Sequence, residues 1–234
     1  TKKAISPPDI HLPWRLTLQE ILVKNINLNQ GNKRFQLRRA TLKANALLGK
    51  IRIEKLSLEN DHINMTIMGS LRPTKHYRHD LDIKWQAHLP SKAMIQGHGQ
   101  LSGNLQATQI TQTLSGALTL SVRAELKNLR DKLSWQGKAD VSAFDTQQLD
   151  TTWPALTGSL KLESKGDLET AVFSGIMKSH NPELGPFDAE FDLQRLSNSS
   201  IHIEHLRIHA PRSNKRLDTR LNIHGQWLPG TDGG

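Results

Sequence analysis

The sequence contains no cysteine. That excludes disulfides, thiolate metal sites and thiol catalysis, and it is compatible with an oxidising compartment such as the periplasm. Aromatic residues are also scarce, at 5%, and the apolar fraction of 36% falls below the roughly 45–50% of ordinary globular chains, a figure that counts glycine. Little material is left for a thick core, whereas an apolar layer one residue deep, such as one face of a sheet presents, needs no more. No apolar run reaches the 18 or so residues of a membrane-spanning helix. A phosphate-binding glycine loop and a nucleophile elbow are both missing, since Ser115-Gly116 and Ser174-Gly175 lack the surrounding pattern. The expectation is a protein that is not an enzyme and holds no metal or cofactor. The opening TKKAISPPDI has no initiator Met or signal-like apolar stretch, and the chain ends in GTDGG, so it reads as a piece of a longer protein.

Lys and Arg total 31 against 22 Asp and Glu, a formal charge of +9 over 234 residues. The positive residues are spread along the chain, with short clusters at Lys33-Arg34, Arg38-Arg39, Arg212 and Lys215-Arg216. They are interrupted by acids and lack the aromatic residues that stack on bases, which argues against nucleic acid. Weak attraction to acidic lipid headgroups is the better use of the charge.

The stretch IHIEHLRIHA (201–210) places His202, Glu204, His205 and His209 close in sequence. On a helix they would converge as metal ligands. The apolar letters decide otherwise: Ile201 and Ile203, a gap of two, then Leu206 and Ile208. The same rhythm occurs in IRIEKLSLEN (51–60), LTLQEILVKN (16–25) and FQLRRATLKA (35–44), with no histidine in any of them. Pairs of apolar residues two apart mark a strand with one buried face, and the extra residue between pairs calls for a bulge or sharp bend to restore that face. The histidines are expected to fill the solvent side.

Alternation continues through Ile63-Met65-Ile67, Leu81-Ile83-Trp85, Ile95 to Ala107, Leu118-Leu120-Val122, Trp135 to Ala143, Leu160-Leu162, Phe187-Ala189-Phe191 and Leu221-Ile223. It predicts fifteen to eighteen strands of about five to ten residues, joined by turns such as NQGNK, RPTKHYRHD, SHNPELGP and APRSNK. One short helix is predicted in DTQQLDTTWPAL (145–156), capped by Asp145 and ended by Pro154. Gly97, Gly99, Gly103, Gly116 and Gly158 fall on the apolar phase, where a missing side chain marks a bend or a close approach. Asp80 and Asp82 are expected on one strand face near His79, and His76, His79 and Asp80 resemble a ligand cluster, but that cluster falls in a polar turn, where solvated residues are expected.

A sheet with one apolar face must hide that face, and helices are not available to cover it. A closed sandwich or solenoid is one solution. An all-β, elongated, curled antiparallel sheet forming an open apolar groove is the other, favoured by few large aromatics and by Gly and Ala on the inner phase. Such a groove suits acyl chains, because each buried methylene is worth about 0.8 kcal/mol. The expected groove lining is Leu16, Leu18, Ile51, Ile53, Ile63, Met65, Ile67, Ile83, Trp85, Ile95, Leu101, Leu105, Leu118, Leu120, Val122, Trp135, Leu160, Leu162, Ile201, Ile203 and Ile223.

The segments PPDIHLPWRLTLQEILVKNINL, LRRATLKANALLGKIRIEKLSLEN, INMTIMGSL and WPALTGSLKLESKGDLETAVFSG resemble the amino-proximal region of the TamB branch of the AsmA-like family. The resemblance implies a periplasmic β-taco groove carrying phospholipid between inner and outer membranes. It also implies an amino-terminal inner-membrane anchor and a carboxy-terminal domain meeting a TamA-like outer-membrane barrel, both outside this sequence. Residues 1–234 then form one continuous groove fragment, with possible sub-units 1–110 and 111–234. The alternative is a scaffold that pairs its strand edges with unfolded outer-membrane strands.

Overall fold

A computed structural model describes residues 15–30, 33–74, 76–89, 91–197, 200–211 and 218–227. Period-two alternation becomes strand throughout: β1 (Leu16–Gln30), β2 (Lys33–Leu47), β3 (Lys50–Glu59), β4 (Ile63–Arg72), β5 (Arg78–His88), β6 (Met94–Gly103) and β7 (Ala107–Gly116). The series continues with β8 (Leu118–Lys127), β9 (Ser134–Asp145), β10 (Thr157–Asp167), β11 (Ala171–Asn181), β12 (Gly185–Arg195), β13 (Ile201–Ala210) and β14 (Thr219–Trp227). All lie in a single 14-stranded sheet in chain order, each antiparallel to the next.

The described strands are fewer and longer than the pattern predicts, because the phase flips are bulges inside strands and not breaks between them. Ladder register shifts between Leu18 and Ile21 in β1, between Ile53 and Leu56 in β3, and between Ile203 and Leu206 in β13. Each shift falls in the two-residue gap of the repeated rhythm and keeps both apolar pairs on one face. The fourth copy, in β2, has no register shift: Lys24↔Arg39 and Ile26↔Leu37 keep one register, with Asn25 of β1 between them in left-handed conformation at φ 55. A further bulge lies between Val141 and Phe144 of β9, so Phe144, and not Ala143, shares the face of Val141.

Other predictions are corrected by local hydrogen bonding. The run from Ile95 to Ala107 is two strands, since Asn104 Oδ1 accepts from the amides of Gln106 and Ala107 and turns the chain. The helix α1 spans only Thr146–Leu149. Asp145 caps it as expected, accepting from Gln147 N at 2.9 Å, but Asp150 ends it with its carboxylate turned to the amide and hydroxyl of Thr152. Trp153 stays outside the helix, 51% exposed. Residues 31–32 of NQGNK and 212–217, which include most of APRSNK, lie outside the described residues.

Neighbouring turns are tied along both rims. On the first rim, Leu105 N donates to His76 O at 3.0 Å and Leu129 N to Leu105 O at 3.0 Å, while Arg195 Nη2 donates to Asp167 O and Leu168 O at 2.9 Å. On the second, Ser91 Oγ donates to Gln148 O and Asn181 Nδ2 to Ala155 O. These ties draw strand ends together and the bulges raise local twist, both of which curl a sheet.

The curled sheet does not close. Among the described residues β1 pairs only with β2 and β14 only with β13, and no second layer covers the apolar face. The chain exposes 16595 Å². A compact monomer of its mass would expose about 10,600 Å². Buried apolar residues are mostly alanines, such as Ala44, Ala46, Ala171 and Ala189, while larger apolar residues such as Ile21, Val23 and Leu221 remain exposed. The closed-core alternative is thereby set aside.

Gly69 of β4 stands opposite Ile53, beside the β3 bulge, at φ 139. A Cβ there would overlap the carbonyl oxygen of Asp80. Gly69→Ala is expected to cost at least about 2 kcal/mol in urea unfolding; a change under about 0.5 kcal/mol would show that β4 relaxes freely at this point.

Candidate functional site

Directly paired residues of antiparallel strands point to the same side of a sheet, so register defines which side chains share a face. One cross-strand row runs Val23, Ala40, Leu58, Met65, Trp85, Gly97, Leu114, Leu120, Val141, Leu160, Met177, Ala189, Ile208 and Leu221. It crosses every strand without a polar residue. The adjacent row, from Ile21 to Ile223, is interrupted only by Gln112, and the next, from Leu18 to Gly225, only by Ser164. With neighbouring strands about 4.8 Å apart and rows about 6.7 Å apart, the three form a band roughly 60 Å long and 13 Å wide. Soluble monomers seldom leave more than a few hundred Å² of contiguous apolar surface exposed.

The predicted lining residues map onto this face with one exception. Leu18, Ile53, Leu101 and Ile203 lie in one row, Ile67, Ile83, Val122, Leu162 and Ile223 in the middle row, and Met65, Trp85, Leu120 and Leu160 in the third. Leu16, Ile51, Trp135 and Ile201 flank the band towards the first rim, and Ile63, Ile95 and Leu118 towards the second. Leu105 is the exception: it sits in the β6–β7 turn, outside any strand. The prediction missed Ile21, Leu56 and Leu206, which follow the bulges, and Phe173 and Met177 of β11. Their signal was present in the repeated rhythm and in the alternation of VFSGIM.

The floor of the band is levelled by close approach. The Trp85 ring lies over Gly97, the Gln112 side chain over Gly99, and the Phe191 ring over Gly175, where an added Cβ would stand 2.6 Å from the ring. Large rings thus fill the places of absent side chains and keep the surface continuous. Ile21 is 43% exposed and Leu221 48%, so the band remains open to the surroundings at either end of the sheet.

The opposite face is polar. It carries Lys138 Nζ 2.6 Å from Glu163 Oε1 and His98 Nε2 2.6 Å from Asp82 Oδ2, exposed pairs of the kind worth about 0–1 kcal/mol each. Two shallow depressions of 520 and 750 Å³ lie on this side, lined mainly by residues such as Lys84, Gln96, His98, Arg123, Lys138 and Glu163. His205 meets Asp192 at 3.2 Å, His209 meets Asp218 at 2.9 Å and His202 approaches Glu204 at 3.8 Å, so each imidazole has its own carboxylate. His79 is separated from Asp80 and Asp82, because adjacent strand residues face opposite sides: its Nε2 lies 3.2 Å from Thr108 Oγ1 on the apolar side. His79 and Asp80 belong to β5 and not to the preceding turn, which corrects the turn expectation for those two, while Asp80 and Asp82 share one face of the strand as expected. Among the described residues no group of three His, Asp or Glu is placed to hold a metal ion. Asp167 is held below the usual carboxylate range by the amides of Thr170 and Glu169, and Asp150 by the amide and hydroxyl of Thr152; both act as turn formers.

The family model described as TamB, N-terminal domain, matches residues 1–226. The chain belongs to the TamB family. No curated protein and no solved structure matches it. The TamB family is a non-enzymatic transport and assembly family of the cell envelope, and a continuous apolar band across the described sheet agrees with that class. Among the described residues of this TamB-family chain no helix is long and apolar enough to cross a membrane.

Proposed function

We propose that the apolar band is a conduit for phospholipid acyl chains crossing the periplasm between the inner and outer membranes. The observation that carries this reading is the row from Val23 to Leu221, which passes through all fourteen described strands without a polar side chain and has no layer of described residues above it. Two acyl chains lose on the order of 20 kcal/mol of stabilisation when exposed to water. A continuous apolar surface offsets much of that at every point along its length, so a chain can move without a high barrier. No reaction is required, and residues 1–234 act as one unit of the groove. In the full-length protein an inner-membrane anchor precedes this unit, and a later region meets a TamA-like outer-membrane barrel.

The chain purified from a bacterial envelope is expected to carry phospholipid, measured by native mass spectrometry and by extraction. Lipid-free protein with the band intact would remove the proposal. A second reading, strand pairing with outer-membrane proteins, is supported by β1, a 15-residue strand that among the described residues is unpaired on one side and exposes Leu22. Bound strand peptides in the same preparation, without lipid, would favour it.

A further inference from the structure

The first rim carries a group of charges that the fold does not use. Lys50, Arg72 and Arg78 stand side by side at the ends of β3, β4 and β5: Arg72 pairs directly with Arg78, and Lys50 precedes Ile51, the partner of Leu71. Like charges placed opposite one another on adjacent strands destabilise a sheet. None of the three side chains has an ion pair or hydrogen bond among the described residues, and all are exposed. They line a hollow of about 300 Å³ with Ser70, His79, Gly103 and a single acid, Asp80.

Neighbouring residues give the hollow a direction. Leu48, at the tip of the β2–β3 turn beside Lys50, is in left-handed conformation at φ 48 and 82% exposed, so an apolar side chain is held out next to the cations. Ile51, Leu71 and His79, each adjacent in sequence to one of the three cations, point to the opposite, apolar face. Guanidinium forks match phosphate oxygens in bidentate fashion, and long basic side chains reach around an edge while their stems stay on apolar surface.

We infer that Lys50, Arg72 and Arg78 form a headgroup station, binding the phosphate of a phospholipid at the groove rim while its chains lie on the apolar band. The inference rests on the conduit reading and adds what that reading leaves open, a polar anchor for the lipid's other end. Stability sacrificed to like-charge contact is recovered when the anion binds.

The test uses the 234-residue chain and its K50Q/R72Q/R78Q variant. The probes are micellar phosphatidylglycerol, diacylglycerol with the same chains, and glycerol phosphate. The variant is expected to lose phosphatidylglycerol affinity at least tenfold and to keep diacylglycerol affinity within twofold. Glycerol phosphate should bind the parent chain far more weakly than the lipid. Relief of repulsion should leave the variant's Tm unchanged or raise it by about 1–3 °C, which separates lost binding from lost folding. Unchanged phosphatidylglycerol affinity overturns the station and leaves the conduit standing. Glycerol phosphate binding as tightly as the lipid overturns it in favour of a free-anion site. Failure of the parent chain to bind either lipid overturns the conduit and the station together.

Discussion

Leu120→Asp is expected to lower the phospholipid recovered with the chain more than tenfold while leaving the sheet folded. Leu120 stands in the wholly apolar row between Leu114 and Val141, half-buried. A carboxylate there must stay hydrated, so an acyl chain lying across it loses contact over several methylenes. Losing three or four at about 0.8 kcal/mol each gives roughly 3 kcal/mol, about a hundredfold in affinity. The folding penalty is smaller, because the leucine is already partly exposed. Ser121→Asp supplies the control, placing the same charge one residue along β8 on the polar face, where it should leave lipid content unchanged. Lipid per protein by mass spectrometry reads both. Equal losses in the two variants would show that net charge, and not the band, governs lipid content.

Two single-residue deletions should have opposite outcomes. Removing Glu54 from the β3 bulge converts IRIEKLSL into an alternating strand that still directs Ile51, Ile53, Leu56 and Leu58 to one face. Its cost should be about 1 kcal/mol or less, mostly in lost curvature. Removing Arg123 from β8, which has no bulge of its own, turns Ala124 and Leu126 to the polar side and Glu125 and Lys127 onto the band. A slip of one residue reverses every side chain beyond it. That deletion should cost about 4 kcal/mol or more, a large share of the 5–15 kcal/mol that holds a domain together. Denaturant unfolding of the two variants compares them directly. Similar losses would mean that the bulges are imposed by the surrounding sheet and not by the apolar phase of each strand.

How far the sequence could be read depended on how local each feature was. Alternation in β4, β5 and β8 identified the face of Ile67, Ile83 and Val122 without any knowledge of partners. The two-residue gap marked the bulges of β1, β3 and β13 because a phase error must be repaired inside its own strand. The same logic failed at Leu105, where alternation ran straight through a turn set by the Asn104 side chain, and at Ala143, which a bulge displaced from the face in favour of Phe144. It shortened α1 as well, since Asp150 found Thr152 before Trp153 could complete a second helical turn. Membership in the TamB family, legible in the opening segments, is shown by the match over residues 1–226.

The sequence by itself determined that this chain is made of one-sided strands and which side chains belong to the apolar side, because side-chain direction along a strand depends only on position in that strand. The tertiary structure alone decided that those sides join into unbroken rows from β1 to β14, that Lys50, Arg72 and Arg78 meet at one rim, and that nothing in the described chain covers the band. Those properties depend on pairing order, register and the presence or absence of a second layer. They arise between strands, where the pattern within any one strand is silent.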